Sequence, residues 1–304
     1  MIQRFSFGHP FPTQSVVLSL PAESGPIPFL TPDGSGWQLT LSEQAAVYGL
    51  GEMPRGINKR GWHYIANNTD ESRHSEDKLS FYGAHNFLLV RDAAPALACS
   101  WISRARFITT SVIRHDLLSF HTETPDYDLY LLSGGNENEI CREFRPLIGR
   151  SYIPPRWAFG LAQSRWGYKT EEDVREVARQ YKEHDLPLDM ICMDIEYMQD
   201  YADFTVNKER FPDLTKLSAD LKAQGIRLVP IIDAGVRVDP NDSTCTEGLE
   251  KGYFCKKADG TPFVAAVWPG KAYFADFLRP EVREWFGHKY KALTDCGIEA
   301  SGTI

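Results

Sequence analysis

The sequence has no long apolar run, no basic run and no closely spaced pair of cysteines. Its amino-terminal residues, MIQRFSFGHPF, lack the apolar core of a secretory signal, and no later stretch is long enough to span a bilayer. We therefore expect a cytoplasmic protein without a membrane partner. Because the net charge is −8, a nucleic-acid-binding surface is not expected either. The six cysteines have none of the spacings of zinc ligands, which predicts reduced thiols and no metal site.

Two signatures of common enzyme classes are also missing. No glycine-rich phosphate-binding motif follows a predicted strand, which argues against a dinucleotide-binding domain. No GxSxG motif is present, so the serine nucleophile of an α/β-hydrolase is not indicated. The sequence predicts no cofactor.

Residues 1–135 are predicted to form an antiparallel β-sandwich. Short strand-like segments are separated by Gly, Pro, Asp and Asn, and this regular spacing is typical of a sandwich. The segments are residues 36–41, 86–90, 96–102 and 127–132. Residues 136–152 are predicted to be a connecting helix and linker, with Pro146 near the end of the helix.

From residue 153 the pattern changes to alternating strands and helices, and residues 153–304 are predicted as a second domain. Thr170 is a suitable N-cap for the first helix, and Gly225 ends the second. Pro280 begins a third helix and Gly297 ends it, after a stretch that reads as irregular. Strands are predicted at residues 190–195 and 226–232. Helical crossovers between strands indicate a parallel sheet, either open or closed as a barrel.

Carboxylate and aromatic side chains lie at or just beyond the ends of the predicted strands. Asp194 and Asp233 end these two strands, Trp166 follows an earlier strand expected within residues 152–168, and Trp268 lies in FVAAVWPG. Aromatic faces stack on the C–H surfaces of sugars while carboxylates accept hydrogen bonds from sugar hydroxyls, so this set indicates a carbohydrate pocket. The alternative for each Asp is an N-cap or a loop salt bridge.

Three other charged residues near these strand ends are weaker candidates. Glu196 and Asp200 are carboxylates in a loop, where such groups are usually solvated. Arg165 either neutralises the acidic site or forms a structural ion pair, and we favour the structural role.

Several longer segments resemble family-31 glycoside hydrolases, and most closely the bacterial α-glucosidases. They are YGLGEMPRGINKRG, NNTDES, YGAHNF, RSYIPPRWAFGLAQSRWGY, DMICMDIEYMQDYADFTVN, PIIDAGV and VAAVWPG. The resemblance extends from near the amino terminus to Glu299. It implies an N-terminal antiparallel β-sandwich followed by a (β/α)8 TIM barrel, and an enzyme that hydrolyses terminal non-reducing α-linked glucose from small oligosaccharides.

The resemblance also implies a set of substrate-binding residues. Asp70, in NNTDES, would lie on a sandwich loop that reaches over the mouth of the barrel. Asp194 would be the main acceptor for sugar hydroxyls, and Glu196 stands where a close relative has Asp, which leaves the linkage preference open. The subsite for the non-reducing glucosyl unit would be lined by Trp166, Asp194, Ile195, Ile231, Asp233 and Trp268.

The catalytic residues of the family have no counterpart in this sequence. Family members are retaining enzymes that use one carboxylate as nucleophile and another as acid and base. The nucleophile lies on the fourth barrel strand, in a segment resembling GFWNDMNEP directly after GIE, whereas here Glu299 is followed by ASGTI. A one-base deletion in codons for GFWNDMN gives Ala-Ser-Gly-Thr-Ile and a stop. We therefore expect a barrel truncated before its fourth strand and a chain that is inactive alone.

Two alternatives to the truncated α-glucosidase remain open. The chain would act as a non-catalytic sugar-binding fragment if the sandwich and the partial pocket are used without turnover. It would belong to an α-xylosidase or α-galactosidase type of barrel hydrolase if the pocket accepts another sugar, because Trp and Asp at these positions do not distinguish the sugars.

Overall fold

The computed structural model describes residues 1–92, 96–103, 112–113 and 116–303. The chain divides into two compact units, Met1–Ser151 and Tyr152–Ile304. The division lies close to residue 153, where the sequence pattern changes from β-rich to alternating. Within the described residues, no helix is long and apolar enough to cross a membrane.

The first unit is β-rich in its described part, with one helix near its end. Its strands are β1 (Ile2–Phe7), β2 (Thr31–Asp33), β3 (Gly36–Thr40), β4 (Ala46–Gly51), β5 (Ala84–Arg91), β6 (Ala96–Ser103), β7 (Val112–Ile113), β8 (Leu117–His121) and β9 (Tyr127–Gly134). The four predicted segments correspond to β3, β5, β6 and β9.

These strands form two antiparallel sheets that contribute to one buried core. One sheet has the order β1-β9-β6-β5-β4, and the other has the order β2-β3-β8-β7. Phe5 and Leu129 of the first sheet pack in the same cluster as Leu39, Leu118 and Phe120 of the second. The alternation of apolar and polar residues along the strands places one face of each sheet in this core.

The helix of the first unit, α1 (Glu137–Ile148), covers the other face of the five-stranded sheet. Asn136 caps it, because its side chain accepts a hydrogen bond of 3.1 Å from the backbone N–H of Glu139. Ile140 and Leu147 are fully buried in a second cluster together with Leu132 of β9. The helix predicted as a connector is therefore packed on the first unit.

The second unit alternates strands with helices. Its strands are β10 (Ala162–Arg165), β11 (Met190–Met193), β12 (Arg227–Ile232), β13 (Gly235–Arg237), β14 (Val264–Val267), β15 (Gly270–Phe274) and β16 (Gly302–Thr303). Its α-helices are α2 (Glu171–Glu183), α3 (Leu214–Ala223), α4 (Ser243–Glu250), α5 (Pro280–Lys289) and α6 (Lys291–Thr294). Two 3-10 helices are η1 (Arg156–Phe159) and η2 (Ile195–Tyr197).

Four of these strands form a parallel sheet in sequence order, β10-β11-β12-β16. Helix α2 crosses from β10 to β11, and α3 from β11 to β12. The buried residues of α2 and α3, including Val174 and Leu217, share one core with Ile191 and Ile232 of the sheet. Every residue of β12 after Arg227 is buried, so both faces of this strand are covered, as its continuous apolar run predicts.

The predicted capping of α2 is present in the structure. Thr170 accepts from the backbone N–H of Asp173 at 3.3 Å, and Asp173 accepts from the backbone N–H of Thr170 at 2.8 Å. This reciprocal capping box satisfies two amide groups that would otherwise lack a partner.

Two parts of the second unit differ from the sequence prediction. The stretch after β12, predicted as irregular, contains α4 and a three-stranded antiparallel sheet of order β13-β15-β14. Its strands have three to five residues, too few for a clear alternation. The parallel sheet was predicted to end before a fourth strand, yet Gly302–Thr303 pair with Ile231 and Ile232. This two-residue pairing uses backbone groups alone, so its sequence carries no strand pattern.

Candidate functional site at the carboxyl edge of the parallel sheet

Three predicted site residues follow the carboxyl ends of adjacent strands. Arg165 of β10 pairs with Met193 of β11, so Trp166 and Asp194 are the next residues at the same edge. Met193 in turn pairs with Pro230 of β12, and Asp233 follows the end of that strand. In parallel βα proteins, functional groups occupy this carboxyl edge. The structure therefore gathers Trp166, Asp194 and Asp233 where a binding site is expected.

Asp194 combines a capping role with a partly accessible carboxylate. One side-chain oxygen accepts a hydrogen bond of 2.7 Å from the backbone N–H of Ile195 at the start of η2. The N-cap alternative raised by the sequence is therefore correct for this oxygen. The structure describes no hydrogen bond for the other oxygen, Oδ2, and the side chain is half-buried. Asp194 is thus fixed in orientation while one acceptor remains available to a ligand.

Asp233 is held through its main chain by a residue that the sequence did not single out. The backbone N–H of Asp233 donates to Oδ1 of Asp203 at 3.2 Å. The Oδ2 atoms of both residues are buried and have no hydrogen-bond partner. Burial and the nearby charge of Asp194 raise the pKa of Asp233. The pKa of Asp203 is raised to about 8, mainly by burial and to a smaller extent by the charge of Asp233.

Glu196 is buried, in contrast to the expectation for a loop carboxylate, whereas Asp200 is exposed as expected. Both carboxylate oxygens of Glu196 lack a hydrogen-bond partner, although the amides of Gly167 and of Glu196 itself face the group and partly stabilise its charge. Burial and the charge of Asp194 raise the pKa of Glu196. Its backbone lies within η2, whose turn directs the side chain inward rather than to solvent.

The carboxyl edge therefore holds four acidic side chains: Asp194, Glu196, Asp203 and Asp233. Burial dominates the pKa shifts of the three with raised values, and neighbouring carboxylates add to it. Arg210 weakly offsets the shift of Glu196. Arg165 is exposed and donates to the carbonyl of Trp166 at 3.2 Å, and within the described residues it does not form the predicted structural ion pair. Such a cluster of acceptors suits a neutral polyhydroxylated ligand better than an anion.

The predicted apolar residues of the site fall into two groups that differ in exposure. Trp166 is 65% exposed and Trp268 is 66% exposed, so both rings present large faces to solvent. Ile195 and Ile231 are buried, and the carbonyl of Ile231 accepts a hydrogen bond of 2.7 Å from the hydroxyl of Tyr197. The exposed rings are free to stack on a ligand, whereas the two isoleucines are fixed parts of the wall.

Trp268 lies at the turn of the hairpin β14–β15, whose position is set by close packing against β13. Val267 pairs with Gly270 across the turn. A Cβ on Gly235 would lie 2.6 Å from Cγ2 of Val267, so a side chain there would push the hairpin away. Because Gly235 follows Asp233 by two residues, this contact ties the hairpin to the end of β12.

Asp70 belongs to the first unit, where it lies beside the hydroxyl of Tyr82. Burial and this carboxylate raise the pKa of Tyr82. The surrounding loop is held by two backbone hydrogen bonds of 3.0 Å, from Ile65 to Leu79 and from Thr69 to Phe81. The place of Asp70 over the mouth of a barrel stays a prediction.

Other candidate sites lie elsewhere or are absent from the described residues. In residues 1–92, 96–103, 112–113 and 116–303, no group of three or more His, Cys, Asp and Glu side chains is arranged to hold a metal ion. A cavity of about 430 Å³ lies between α2 and α3, where Tyr181, Leu188 and Ile226 are among its lining residues. Leu188 and Ile226 precede β11 and β12, so this cavity is at the opposite edge of the sheet from the carboxylates.

Comparison with known proteins identifies the class of fold and then the family. Residues 151–302 match the model of the glycosyl hydrolases family 31 TIM-barrel domain. The chain is 37% identical over 260 residues to α-glucosidase 2 of Bacillus thermoamyloliquefaciens. The matched region covers 85% of this chain and 33% of that protein. The chain therefore belongs to glycosyl hydrolase family 31, a family of O-glycosyl hydrolases.

Other relatives carry two different activity names. The chain is 28% identical over 262 residues to an α-glucosidase of Saccharolobus solfataricus, covering 86% of this chain and 37% of that protein. It is 29% identical over 266 residues to α-xylosidase 1 of Arabidopsis thaliana, covering 84% of this chain and 28% of that protein. The chain thus spans about a third of the length of the curated relatives it matches.

Solved structures support the fold. A family-31 dextranase of Flavobacterium johnsoniae, complexed with isomaltotriose, superposes with a TM-score of 0.77 at 22% identity and covers 91% of this chain and 34% of its own. The ER glucosidase II complex superposes with a TM-score of 0.77 at 23% identity, covering 88% and 32%. At these identities the likeness establishes the fold alone.

Proposed function

We propose that this chain supplies the sandwich and the sugar-binding part of the barrel of a retaining α-glucosidase that acts on small α-linked gluco-oligosaccharides. Residues 1–135 would be the sandwich, 136–152 the connection and 153–304 the first part of the (β/α)8 barrel. The proposal depends most on one observation: Trp166, Asp194 and Asp233 follow adjacent parallel strands at one edge. The sequence-based prediction of a cytoplasmic location stays part of the proposal.

The proposed binding mode assigns different roles to the aromatic and acidic residues. The exposed rings of Trp166 and Trp268 would stack on the apolar face of a terminal glucosyl unit. Asp194 would accept hydrogen bonds from sugar hydroxyls through its available oxygen, since hydrogen bonds to a charged acceptor are the stronger ones. Asp233 would contribute a second acceptor, Ile195 and Ile231 the apolar wall, and Asp70 a contact from the sandwich loop.

The proposal assigns binding, and not bond cleavage, to residues 1–304. Retaining hydrolysis needs a nucleophile and an acid/base about 5–5.5 Å apart on either side of the glycosidic bond. The family's nucleophile segment has no match after Glu299, so the sequence supplies no candidate for either role. We propose that both come from sequence that resembles the rest of the family's barrel, and that residues 1–304 alone do not hydrolyse glucosides.

A second candidate is an α-xyloside-accepting pocket, which the similarity to α-xylosidase 1 of Arabidopsis thaliana favours. Xylose lacks the hydroxymethyl group of glucose, so the two sugars differ in one apolar and hydrogen-bonding contact. A pocket for glucose would lose that contact with xylose and would bind it more weakly.

Binding of methyl α-glucoside to residues 1–304, followed by ligand-observed NMR, tests the proposal. We expect weak saturable binding of methyl α-glucoside and weaker binding of methyl α-xyloside. The affinity for methyl α-glucoside should fall tenfold or more in Asp194→Asn, because a hydrogen bond to a charged group is worth about 1.5–3 kcal/mol. Asp213→Asn is the matched control, since Asp213 is an exposed N-cap of α3 and asparagine caps equally well. Equal loss in both variants, or preference for the xyloside, would contradict the proposal.

A further inference from the structure

The loop of residues 198–207, between η2 and α3, reaches the end of β12. It follows Asp194 and η2 in the chain, and it carries Asp203. Two hydrogen bonds join this part of the chain to alternate residues of the β12 end: the hydroxyl of Tyr197 donates to the carbonyl of Ile231 at 2.7 Å, and the N–H of Asp233 donates to Asp203 at 3.2 Å. The loop and η2 therefore add to the strand register in fixing the end of β12, and with it Asp233, relative to Asp194.

Internal contacts hold this loop in an uncommon backbone conformation. Asp200, Tyr201 and Phe204 have φ values of 50°, 59° and 63°, a region that L-residues seldom occupy. The hydroxyl of Thr205 accepts from the N–H of Gln199 at 2.9 Å and so closes the loop on itself. The ring of Phe204 is also anchored, by edge-to-face packing on the aromatic residues of α5 and its carboxyl-terminal cap. A loop held this firmly presents the side chain of Asp203 in one position.

Asp203 itself is 4% exposed, and its carboxyl group uses one oxygen only. Oδ1 accepts from the N–H of Asp233, while Oδ2 is buried without a partner. The ionisable groups that face it are Asp233 at the end of β12, Asp242 at the N-cap of α4, and Tyr197 of η2. No cation in the described structure contributes to its electrostatic surroundings. A buried carboxyl group among acidic neighbours is more stable when it is protonated and neutral.

We propose that Asp203 is a positioning residue of the sugar site, which in its neutral form holds the backbone of Asp233 in place without adding a second buried charge beside that carboxylate. The inference rests on the proposed function, because it takes Asp233 as a sugar acceptor. A neutral Asp203 keeps the carbonyl-type acceptor that the N–H of Asp233 needs. Ionisation of Asp203 would place two buried negative charges side by side and displace the carboxylate of Asp233.

The backbone amide of Asp233 reports on this arrangement without any ligand. In residues 1–304, its ¹H–¹⁵N signal is expected to titrate with a midpoint near the pKa of about 8 of Asp203. In Asp203→Asn the amide is expected to keep its hydrogen-bonded shift and to lose that titration, because the amide oxygen of asparagine accepts in the same way and carries no proton to lose. An Asp233 signal without a transition in this range, or an unchanged transition in the variant, overturns the proposal.

Sugar binding then separates a positioning role from general packing. We expect the affinity for methyl α-glucoside to fall at least threefold between pH 7 and pH 9 in the natural chain and to stay constant in Asp203→Asn. The affinity of Asp203→Ala for methyl α-glucoside is expected to be at least tenfold lower at every pH, because this variant lacks the acceptor of the Asp233 amide. Rescue by asparagine but not by alanine supports the proposal, and equal affinities of the two variants contradict it.

The two proposals fail in different ways. Absence of sugar binding at every pH, with the Asp233 amide still titrating as expected, refutes the proposed function and leaves the link between Asp203 and Asp233 in place. Sugar binding that is independent of pH in the natural chain, as in Asp203→Asn, refutes the positioning role and leaves the proposed function in place.

Discussion

Replacing Asp203 by asparagine is expected to stabilise the second unit at neutral pH and to leave its stability unchanged at low pH. The pKa of this carboxyl group rises from its ordinary value of 3.8 to about 8 on folding, chiefly through burial. Above pH 3.8 the unfolded chain releases the proton while the folded chain keeps it, so the free energy of unfolding falls as the pH rises. The fall continues until the pH passes the folded value near 8.

The size of the effect follows from the shift. One pKa unit corresponds to about 1.4 kcal/mol, and pH 7 lies about three units above the ordinary pKa, so ionisation of the unfolded chain costs about 4 kcal/mol of stability at pH 7. Because Asp203 is 4% exposed, solvent screening reduces this little. The amount is a large fraction of the stability of an ordinary domain.

Urea unfolding at several pH values measures the difference directly. The NMR signals of β11 and β12 report on the second unit, and the quantity of interest is the free energy of unfolding of Asp203→Asn minus that of the natural chain. Taking this difference removes the contribution of Glu196, whose raised pKa does not depend on Asp203, and keeps the coupling of Asp203 to Asp233 and Asp242 within the measured effect. We expect it to be near zero at pH 4 and about 4 kcal/mol at pH 7. A difference that does not change between pH 4 and pH 8 would refute the reasoning.

Two further predictions concern the capping of α2 and the exposed ring after β10. Thr170→Ala should lower the free energy of unfolding of the second unit by about 1 kcal/mol, because it removes the side chain that caps the Asp173 amide. Thr170→Ser should retain stability, since serine caps in the same way. Urea unfolding measures both variants, and equal losses of stability would contradict a capping role for Thr170. Trp166→Ala should weaken methyl α-glucoside binding about fivefold, or by about 1 kcal/mol, because it removes the stacking ring. Stability should change little, since the ring is mostly exposed. An NMR titration measures the affinity, and an unchanged affinity would exclude stacking.

The sequence predicts the regular elements because their signals are local. Thr170, Gly225 and Pro280 mark the ends of helices through capping and backbone preferences, and the structure begins or ends helices beside each of them. The apolar run of β12 identifies a buried strand for the same reason. The small sheet after β12 was missed because strands of three to five residues are too short to show a period.

The candidate site is only partly predictable because some of its residues act through burial. Asp194 and Asp233 follow apolar runs, which is a signal that the sequence contains. Asp203 lies in an irregular loop and reaches the end of β12 through the fold, with no pattern that marks it. Glu196 looked like a solvated loop residue, but the turn of η2 buries it.

Hydrolysis by a longer protein tests the central claim most directly. The longer protein is made by joining residues 1–299 to the GFWNDMNEP segment and the rest of a family-31 barrel. Residues 1–304 alone serve as the comparison. We predict that the longer protein cleaves p-nitrophenyl α-glucoside faster than p-nitrophenyl α-xyloside, with retention of configuration, and that residues 1–304 release no p-nitrophenol. Faster cleavage of the xyloside, no cleavage by the longer protein, or turnover by residues 1–304 alone would contradict the account.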